Sequence, residues 1–267
     1  MTRRLAWLIG AVMLLLPAGV WAQNSCGLPK QAIADGRIQT GSVAAGATEY
    51  FMVATVPGRS YSFQVASVLP NAWTQGNLNI TGYSDAGGCS AAIPGLVHTN
   101  GTDAMIVALS AANAVGDRVN WLAATTSFAP FNLYEFSVTN STGAPISFEF
   151  TASDTTLFST AWSTFGSFDS FYSLYNTTNT TCNGTLTLFN TAGTAVTTAA
   201  VAINSGATTS TNTAALGTVR NTAGTARFTH NCPPGAILAE AAIANFTISP
   251  TPYFQFIHFQ TTRESIH

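Results

Sequence analysis

The sequence DTTLFSTAWSTFGSFDSFYSLY, residues 154–175, concentrates seven aromatic side chains between two regions of strand-forming sequence. So much ring surface between two β-rich regions is typical of a chain that leaves one hydrophobic core and enters another. The stretch therefore predicts a junction between two domains, and we expect Trp162 and Phe165 to be buried between them. The seven rings belong to Phe158, Trp162, Phe165, Phe168, Phe171, Tyr172 and Tyr175.

Before the junction, the sequence alternates with the period of half-buried strands. Residues 48–66 read as two strands around a Pro-Gly turn, and residues 133–153 read as two strands around a turn at 140–143. Both patterns predict hairpins, with Glu135 and Glu149 on the solvent face of the second. Shorter apolar runs predict two more strands, at 78–81 and 104–109.

After the junction the same pattern recurs. Residues 171–175 begin a strand, and residues 184–190 predict a hairpin through Thr191-Ala192-Gly193 with a weaker strand that ends at Ile203. Residues 235–244 are rich in helix-forming Ala, Leu and Glu, but the preceding Pro-Pro-Gly and the following Asn245 favour a strand there. Two other strands are predicted, at 226–230 and 253–259.

These patterns predict an all-β fold of two consecutive antiparallel β-sandwich domains, immunoglobulin-like or jelly-roll-like, that follow a cleaved signal peptide. The predicted boundaries are a leader at 1–22, a first sandwich at 23–153, the aromatic junction at 154–170 and a second, immunoglobulin-like sandwich at 171–267.

The first 22 residues have the features of a secretory signal peptide. Arg3 and Arg4 precede an apolar run, and Val20-Trp21-Ala22 offers a cleavage site after Ala22. An uncleaved membrane anchor is the alternative, although an anchor needs about 20 apolar residues and no cleavage site. We therefore expect a secreted protein, extracellular or on the cell surface, with no membrane span after cleavage.

The composition excludes one class of partner. Charged residues make up 7% of the 267 residues, and Lys30 is the single lysine. A protein that binds nucleic acid needs clustered lysine and arginine to neutralise phosphates. We therefore expect no nucleic-acid partner and a surface rich in hydroxyl and amide groups.

The four cysteines, Cys26, Cys89, Cys182 and Cys232, are an even number in a chain expected to be exported, which favours disulfides over metal sites. Three connectivities are possible. If the aromatic junction separates two domains, the simplest pairing lies within each half: Cys26 with Cys89, and Cys182 with Cys232.

Two segments of the first half, GSVAAGATEYFMVATVPGRSYSFQVA (41–66) and LYEFSVTN (133–140), are together similar to the bacterial pre-peptidase C-terminal domain. The second half, with GTLTLFNTAGTAV (184–196) and PPGAILAEA (233–241), resembles the immunoglobulin-like modules of bacterial surface proteins. These resemblances imply β-sandwich folds and export, and they imply no particular activity.

No motif in the sequence predicts catalysis, a cofactor or a metal. The sequence contains no Gly-x-Ser-x-Gly, HExxH, CxxC, GxGxxG or phosphate loop. His98, His230, His258 and His267 have no second ligand at metal spacing, so a structural role is expected for each. The loop acids Asp85, Asp103 and Asp117 could gather one calcium ion with backbone oxygens, but no loop matches an EF-hand, and we expect solvated loop carboxylates instead.

The resulting hypothesis is a non-enzymatic secreted or cell-surface protein that acts as an adhesive or structural β-sandwich module. The alternative is a carbohydrate-binding module, in which Trp73 and Trp121 would stack on sugar rings beside amide side chains. A surface polysaccharide or another protein is the candidate partner in either case.

Overall fold

The computed structural model describes residues 24–67, 78–85, 87–100, 116–124, 132–248 and 251–261, and these residues form 18 β-strands and no α-helix. Accordingly, no helix in these ranges is long and apolar enough to cross a membrane. The leader at 1–22 and the strand predicted at 104–109 lie outside the described residues. The strands of the first half are β1 (Lys30–Ala32), β2 (Gln39–Val43), β3 (Thr48–Thr55), β4 (Ser60–Ser67), β5 (Leu78–Tyr83), β6 (Val97–Asn100), β7 (Gly116–Leu122), β8 (Asn132–Asn140) and β9 (Ile146–Asp154). Those of the second half are β10 (Leu157–Ser163), β11 (Asp169–Asn176), β12 (Cys182–Asn190), β13 (Ala195–Ile203), β14 (Thr208–Asn212), β15 (Ala223–His230), β16 (Ile237–Asn245), β17 (Tyr253–His258) and β18 (Gln260–Thr261).

The first sandwich packs sheet 1, with strand order β1-β3-β8-β5, against sheet 2, with order β2-β9-β4-β7-β6. Apart from the parallel pair β1 and β3, the strands of both sheets are antiparallel. Within each sheet, early strands of the first half alternate with late ones: β2, β9, β4 and β7 are neighbours in sheet 2, and β3, β8 and β5 are neighbours in sheet 1. This nested order is that of a jelly roll. The all-β sandwich fold predicted from the sequence is therefore present.

The two hairpins predicted in the first half are wrong in their pairing, although their strands are correct. β3 pairs with β1 and β8 in sheet 1, whereas β4 pairs with β7 and β9 in sheet 2. β8 and β9 likewise lie in different sheets. Each predicted turn instead carries the chain across the sandwich, so the aromatic faces of consecutive strands meet across the core. Phe51 of β3 and Phe63 of β4, for example, lie with their ring centroids 5.7 Å apart.

Glu135 was predicted on the solvent face of β8, but it is fully buried. Its two carboxylate oxygens accept hydrogen bonds from the backbone N–H groups of Gly27 and Gly87, at 3.4 and 2.8 Å. These glycines neighbour Cys26 and Cys89, which form a disulfide. The disulfide-linked segments therefore cover Glu135 and are held to sheet 1 by its carboxylate.

The second sandwich packs sheet 3, with order β13-β12-β15-β10-β18, against sheet 4, with order β14-β11-β16-β17. The hairpin predicted between β12 and β13 is present, and the ambiguous segment 235–244 contains strand β16 as predicted. Cys182, at the start of β12, is joined to Cys232, just after β15, so the structure has both of the expected disulfides. Their presence fits an oxidising, extracellular environment.

The aromatic stretch at 154–170 is largely the first strand of the second sandwich, not a separate connecting segment. β10 pairs with β15 and β18, and Trp162 is buried in the second core, where its indole N–H donates to the carbonyl oxygens of Phe189 and Thr225. Phe165 is 52% exposed, so its expected burial is wrong. Neither ring packs between the two sandwiches as expected.

Two fully buried asparagines end strands in the same way, one in each sandwich. Asn140 ends β8, and its side-chain amide donates to three backbone carbonyls, including that of Val43 at the end of β2. Asn176 ends β11 and makes the matching bonds, including one to Ile203 at the end of β13. The oxygen of each asparagine accepts from the N–H and hydroxyl of the threonine two residues later. The Asn-x-Thr sequences therefore close loops at the sandwich ends.

We expect the substitution Gly224→Ala to destabilise the second sandwich by about 3 kcal/mol, because a Cβ there would overlap backbone atoms of the paired strand β12. Since backbone cannot rotate away, the strands must separate locally. Gly143→Ala is the matched control, because a Cβ at Gly143 meets nothing within 4 Å. Urea unfolding measures both. A loss below about 0.5 kcal/mol for Gly224→Ala, in the range of ordinary surface substitutions, would contradict the close approach of β12 and β15.

Candidate functional site

In the described part of the chain, two places concentrate polar or exposed aromatic side chains: the joint between the sandwiches and the outer face of sheet 4. At the joint, β9 ends at Asp154 and β10 begins at Leu157, so Thr155 and Thr156 alone connect the two sandwiches. Both threonines are buried. A connection this short and buried holds the two sandwiches in one arrangement.

Ser60, at the start of β4, bonds to the second half of the chain through its N–H, carbonyl and hydroxyl groups. Its N–H donates to Oγ1 of Thr156 at 2.9 Å, and its carbonyl accepts from the N–H of Thr155 at 2.8 Å. Its hydroxyl oxygen accepts from the Thr155 hydroxyl at 3.0 Å and from the His230 N–H at 3.3 Å. Ser60 is itself buried, so these bonds are shielded from competing water.

A charged pair lies beside Ser60. Nη1 of Arg59 is 3.0 Å from Oδ2 of Asp154, whose side chain is 3% exposed. The Arg59 guanidinium also lies 5.1 Å from the ring centroid of Phe158, on β10. Burial of a carboxylate costs free energy unless a positive charge compensates it. The pair therefore ties the start of β4, next to Arg59, to the end of β9, where Asp154 leads into the connection at 155–156. Burial, followed by the negative charge of Asp154, raises the pKa of Tyr61 to about 12.

A second arginine faces the joint from the other sandwich. The Arg227 guanidinium lies over the ring of Phe189, 4.8 Å from its centroid, and a Cβ at Gly58 would be 3.2 Å from Nη2 of Arg227. Burial and the neighbouring positive charge of Arg59 lower the pKa of Arg227, while Asp154 opposes that effect. The Arg59–Asp154 pair and the neighbouring Arg227 therefore form the electrostatic centre of the joint, and each guanidinium lies over an aromatic ring.

His230 ends β15 and completes the joint. Its Nδ1 accepts a hydrogen bond from the N–H of Cys232 at 3.3 Å, which requires a neutral imidazole at that nitrogen. Burial lowers the pKa of His230 to about 4, although a backbone hydrogen bond with Thr155 opposes the shift. His230, uncharged, is thus hydrogen-bonded both to the disulfide-linked Cys232 and to Thr155 in the connection.

The outer face of sheet 4 carries an exposed aromatic surface. Phe246 packs edge-to-face on Phe171 and on Phe254, with ring centroids 5.7 and 5.3 Å apart. Phe256 is 71% exposed. A contiguous exposed apolar surface of this kind marks a binding site more often than a surface without function. Other large apolar side chains exposed in the same part of the chain are Tyr175, Leu238, Ile248 and Tyr253.

Within this surface, strand register builds a groove of about 300 Å³. One cross-strand row places Asn212, Phe171, Ala242 and Phe256 side by side on β14, β11, β16 and β17. The next row on the same face places Ser210, Ser173, Glu240 and His258 side by side. Two rings therefore flank a small alanine, and a row of hydroxyl and carboxylate groups runs beside them.

Of the two tryptophans predicted to bind a ligand, the structure describes Trp121, which does not line this groove. Trp121 is 1% exposed and packs against Tyr61, Tyr134 and Phe136, with ring centroids 4.7 to 5.7 Å away. Its ring therefore belongs to the first core and is not accessible to a sugar, so this prediction is wrong. Trp73 lies outside the described residues.

The proposed calcium ligands do not form one group in the described part of the chain. The Asp85 carboxylate accepts bonds from Ser90 and Ala91 in its own loop, and the Ser90 hydroxyl contributes most to lowering the pKa of Asp85. Asp117 is buried on β7, where Oδ2 accepts from the N–H of Ile80. Asp103 lies outside the described residues. The described residues do bring Cys26, Cys89 and Glu135 together, but both sulfurs are held in a disulfide.

Comparison with known proteins gives no family for the chain: no family model and no curated protein is similar enough to match it. Among solved structures, a calcium-binding mutant of beta-glucuronidase 2 from Bacteroides uniformis aligns at 14% identity with a TM-score of 0.15. The alignment covers 83% of this chain and 26% of that structure, so the chain spans about a quarter of its length. A similarity this low identifies neither the fold nor the function.

We expect Arg59→Met to destabilise the protein by about 2 to 3 kcal/mol, because the buried Asp154 carboxylate would lose its charged partner. The matched control is Arg37→Met. Arg37 also pairs with an aspartate, Asp35 at 3.2 Å, but its side chain is 86% exposed, so the expected change is below about 0.5 kcal/mol. Urea unfolding measures the stability, and limited proteolysis measures cleavage at residues 155–156. Equal effects of the two substitutions would contradict a stabilising role for the joint.

Stability should also fall as the pH is lowered from about 6.5 to about 4. Because the pKa of His230 is lowered to about 4 in the folded protein, the unfolded chain binds a proton in this range that the folded chain does not. The full effect is about 3 kcal/mol, present above pH 6.5 and lost toward pH 4. His230→Gln should flatten this dependence, whereas His258→Gln, with an exposed imidazole, should leave it as in the wild type. Parallel pH profiles for wild type and His230→Gln would show that His230 is not the group responsible.

Proposed function

We propose that this protein is a non-enzymatic, secreted or cell-surface adhesive or structural module of a bacterium. The observation that carries the proposal is the joint: a two-residue buried connection, with Ser60 bonded to Thr155, Thr156 and His230, and with the buried Asp154 paired with Arg59. An adhesive module transmits force from its attachment to its ligand, and a fixed joint does so without the slack of a flexible linker.

The two disulfides support the same function. Cys26–Cys89 and Cys182–Cys232 each close a loop within one sandwich, across sequence separations of 63 and 50 residues. Under tension, each loop stays closed even when its sandwich loses its hydrogen bonds. The extension of the chain under force is therefore limited by covalent bonds within each sandwich.

The outer face of sheet 4 is the surface that we propose makes the adhesive contact. Its aromatic side chains, Phe171, Phe246, Phe254 and Phe256, are half-buried or exposed; Phe246 directly follows β16, and the other three lie on β11 and β17, in the sheet that packs on the second core. The buried Trp121 does not support the alternative function of carbohydrate binding, and this face offers that function exposed aromatic rings as well.

The test is attachment under flow of the bacterium that makes the protein. We expect deletion of the gene to reduce the number of cells retained on their natural surface, and the wild-type chain to restore it. A double variant, Phe254→Ala with Phe256→Ala, should restore it poorly because it removes two exposed rings from the contact face. Phe165→Ala is the matched control, since Phe165 is an exposed ring that does not line the groove. Full retention of the deletion strain, at equal growth, would refute an adhesive role.

A further inference from the structure

We propose that the groove on sheet 4 binds a neutral polysaccharide, with one sugar ring seated over Ala242 between Phe171 and Phe256. This inference rests on the adhesive function proposed above and names the class of molecule that the contact face recognises. It is carried by the two cross-strand rows that line the groove, one aromatic and one polar.

The spacing of the rings fits a ligand of ring thickness. Phe171 and Phe256 are in register with Ala242 and lie on the strands to either side of it. Neighbouring strands are about 4.8 Å apart, so the two phenylalanines stand about 10 Å apart at the backbone, with side chains roughly perpendicular to the sheet. Because Ala242 is small, the space between the rings is open down to the sheet. A pyranose ring, which presents C–H groups on its faces, can enter that space and contact a phenyl ring on either side.

The polar row supplies partners for the hydroxyl groups of such a ring. Ser173 lies two residues after Phe171 on β11, and its partner Glu240 lies two residues before Ala242 on the antiparallel β16, a distance of about 7 Å along the strands. Asn212 is next to Phe171 in the aromatic row itself. Hydroxyl, amide and carboxylate groups at the edge of a ring-lined site can bond the equatorial hydroxyls of a sugar, which fixes its orientation.

The charge of the groove disfavours an acidic polysaccharide. The residues that line it include one carboxylate, Glu240, and no lysine or arginine. A uronic acid or a sulfated sugar would place a negative charge near this carboxylate with no cation in the groove to balance it. The histidine paired with Glu240, His258, lies 3.5 Å from it and is largely exposed. Neutral hydroxyl groups can donate to Glu240 without such a penalty.

A second cleft shares Glu240 with the groove, which favours a polymer as the occupant. Glu240 also lines a cleft of about 660 Å³ that includes His258, Gln260 and Thr261 and extends to Asp154 and Thr155 at the joint. The polar side chains of this cleft lie beyond the Phe171 and Phe256 pair on the Glu240 side. A chain of linked sugars that enters between the rings can therefore extend toward the joint.

The test is affinity electrophoresis of the purified protein in native gels that contain mannan, laminarin, hydroxyethylcellulose or polygalacturonate. We expect at least one of the three neutral polymers to retard the protein, and polygalacturonate to retard it much less. Phe256→Ala and Glu240→Gln should each weaken the apparent affinity about tenfold, equal to about 1.4 kcal/mol. Phe165→Ala is again the matched control, with an expected change below about twofold.

The proposal is overturned if no polymer retards the protein, if polygalacturonate binds as well as the neutral polymers, or if Phe256→Ala behaves like Phe165→Ala. Sedimentation of the same samples tests whether a second copy of the chain occupies this face instead. A dimer that Phe256→Ala converts to a monomer would make the face an interface between two copies and would overturn the proposal. The outcome is separable from that of the flow experiment. Attachment that depends on the protein without polysaccharide binding would retain the adhesive function and reject the ligand class, whereas binding without attachment would do the reverse.

Discussion

The burial of the Asp154 carboxylate constrains the whole molecule, because a charge at the crossing point between two cores is tolerated only with compensation on several sides. Arg59 provides it from the first sandwich, and the N–H of Thr156 provides it from the connection itself, at 2.9 Å. Those two contacts set Ser60 against Thr155 and Thr156, and Ser60 in turn bonds to His230 of the second sandwich. The relative position of the two sandwiches therefore follows from one buried charge.

Much of the fold could be predicted from sequence, because a strand with one buried face repeats every two residues whatever its partner is. The pairing could not, and β8 and β9 show why. Their turn at Asn140 is compatible either with a hairpin or with a crossing between sheets, and the choice depends on contacts far apart in sequence, such as the stacking of Phe63 on Phe136. The hairpin of β12 and β13 was predictable because β13 is mostly exposed, so it adds to the edge of a sheet instead of closing a core.

The site was less predictable than the fold. The simplest cysteine pairing follows from a division of the chain into two halves, and the structure contains that pairing. The joint unites Arg59, which looked like a turn residue, with Asp154, 95 residues later, and no local pattern connects them. The groove could not be predicted for another reason. The sequence of β17, YFQFIH, does not alternate between apolar and polar residues, so it does not show which rings are exposed. The binding prediction rested on tryptophan, because flat rings can stack on sugars. Large rings are also strongly buried on average, and Trp121 is a residue of the first core.

The exposed rings of sheet 4 are surrounded by polar side chains, unlike an apolar face that lacks a packing partner. An apolar sheet face that lacks polar interruption invites pairing with another copy, and edge strands add to that risk. Here the edge strand β14, with sequence TTSTN, borders the rings with hydroxyl and amide groups, and Glu240 interrupts the face on β16. Because a polar row lies beside the aromatic row, the face offers apolar contact and hydrogen bonding within one strand repeat. That combination suits a ligand which is itself apolar on its faces and polar at its edge, and much less a second apolar protein surface.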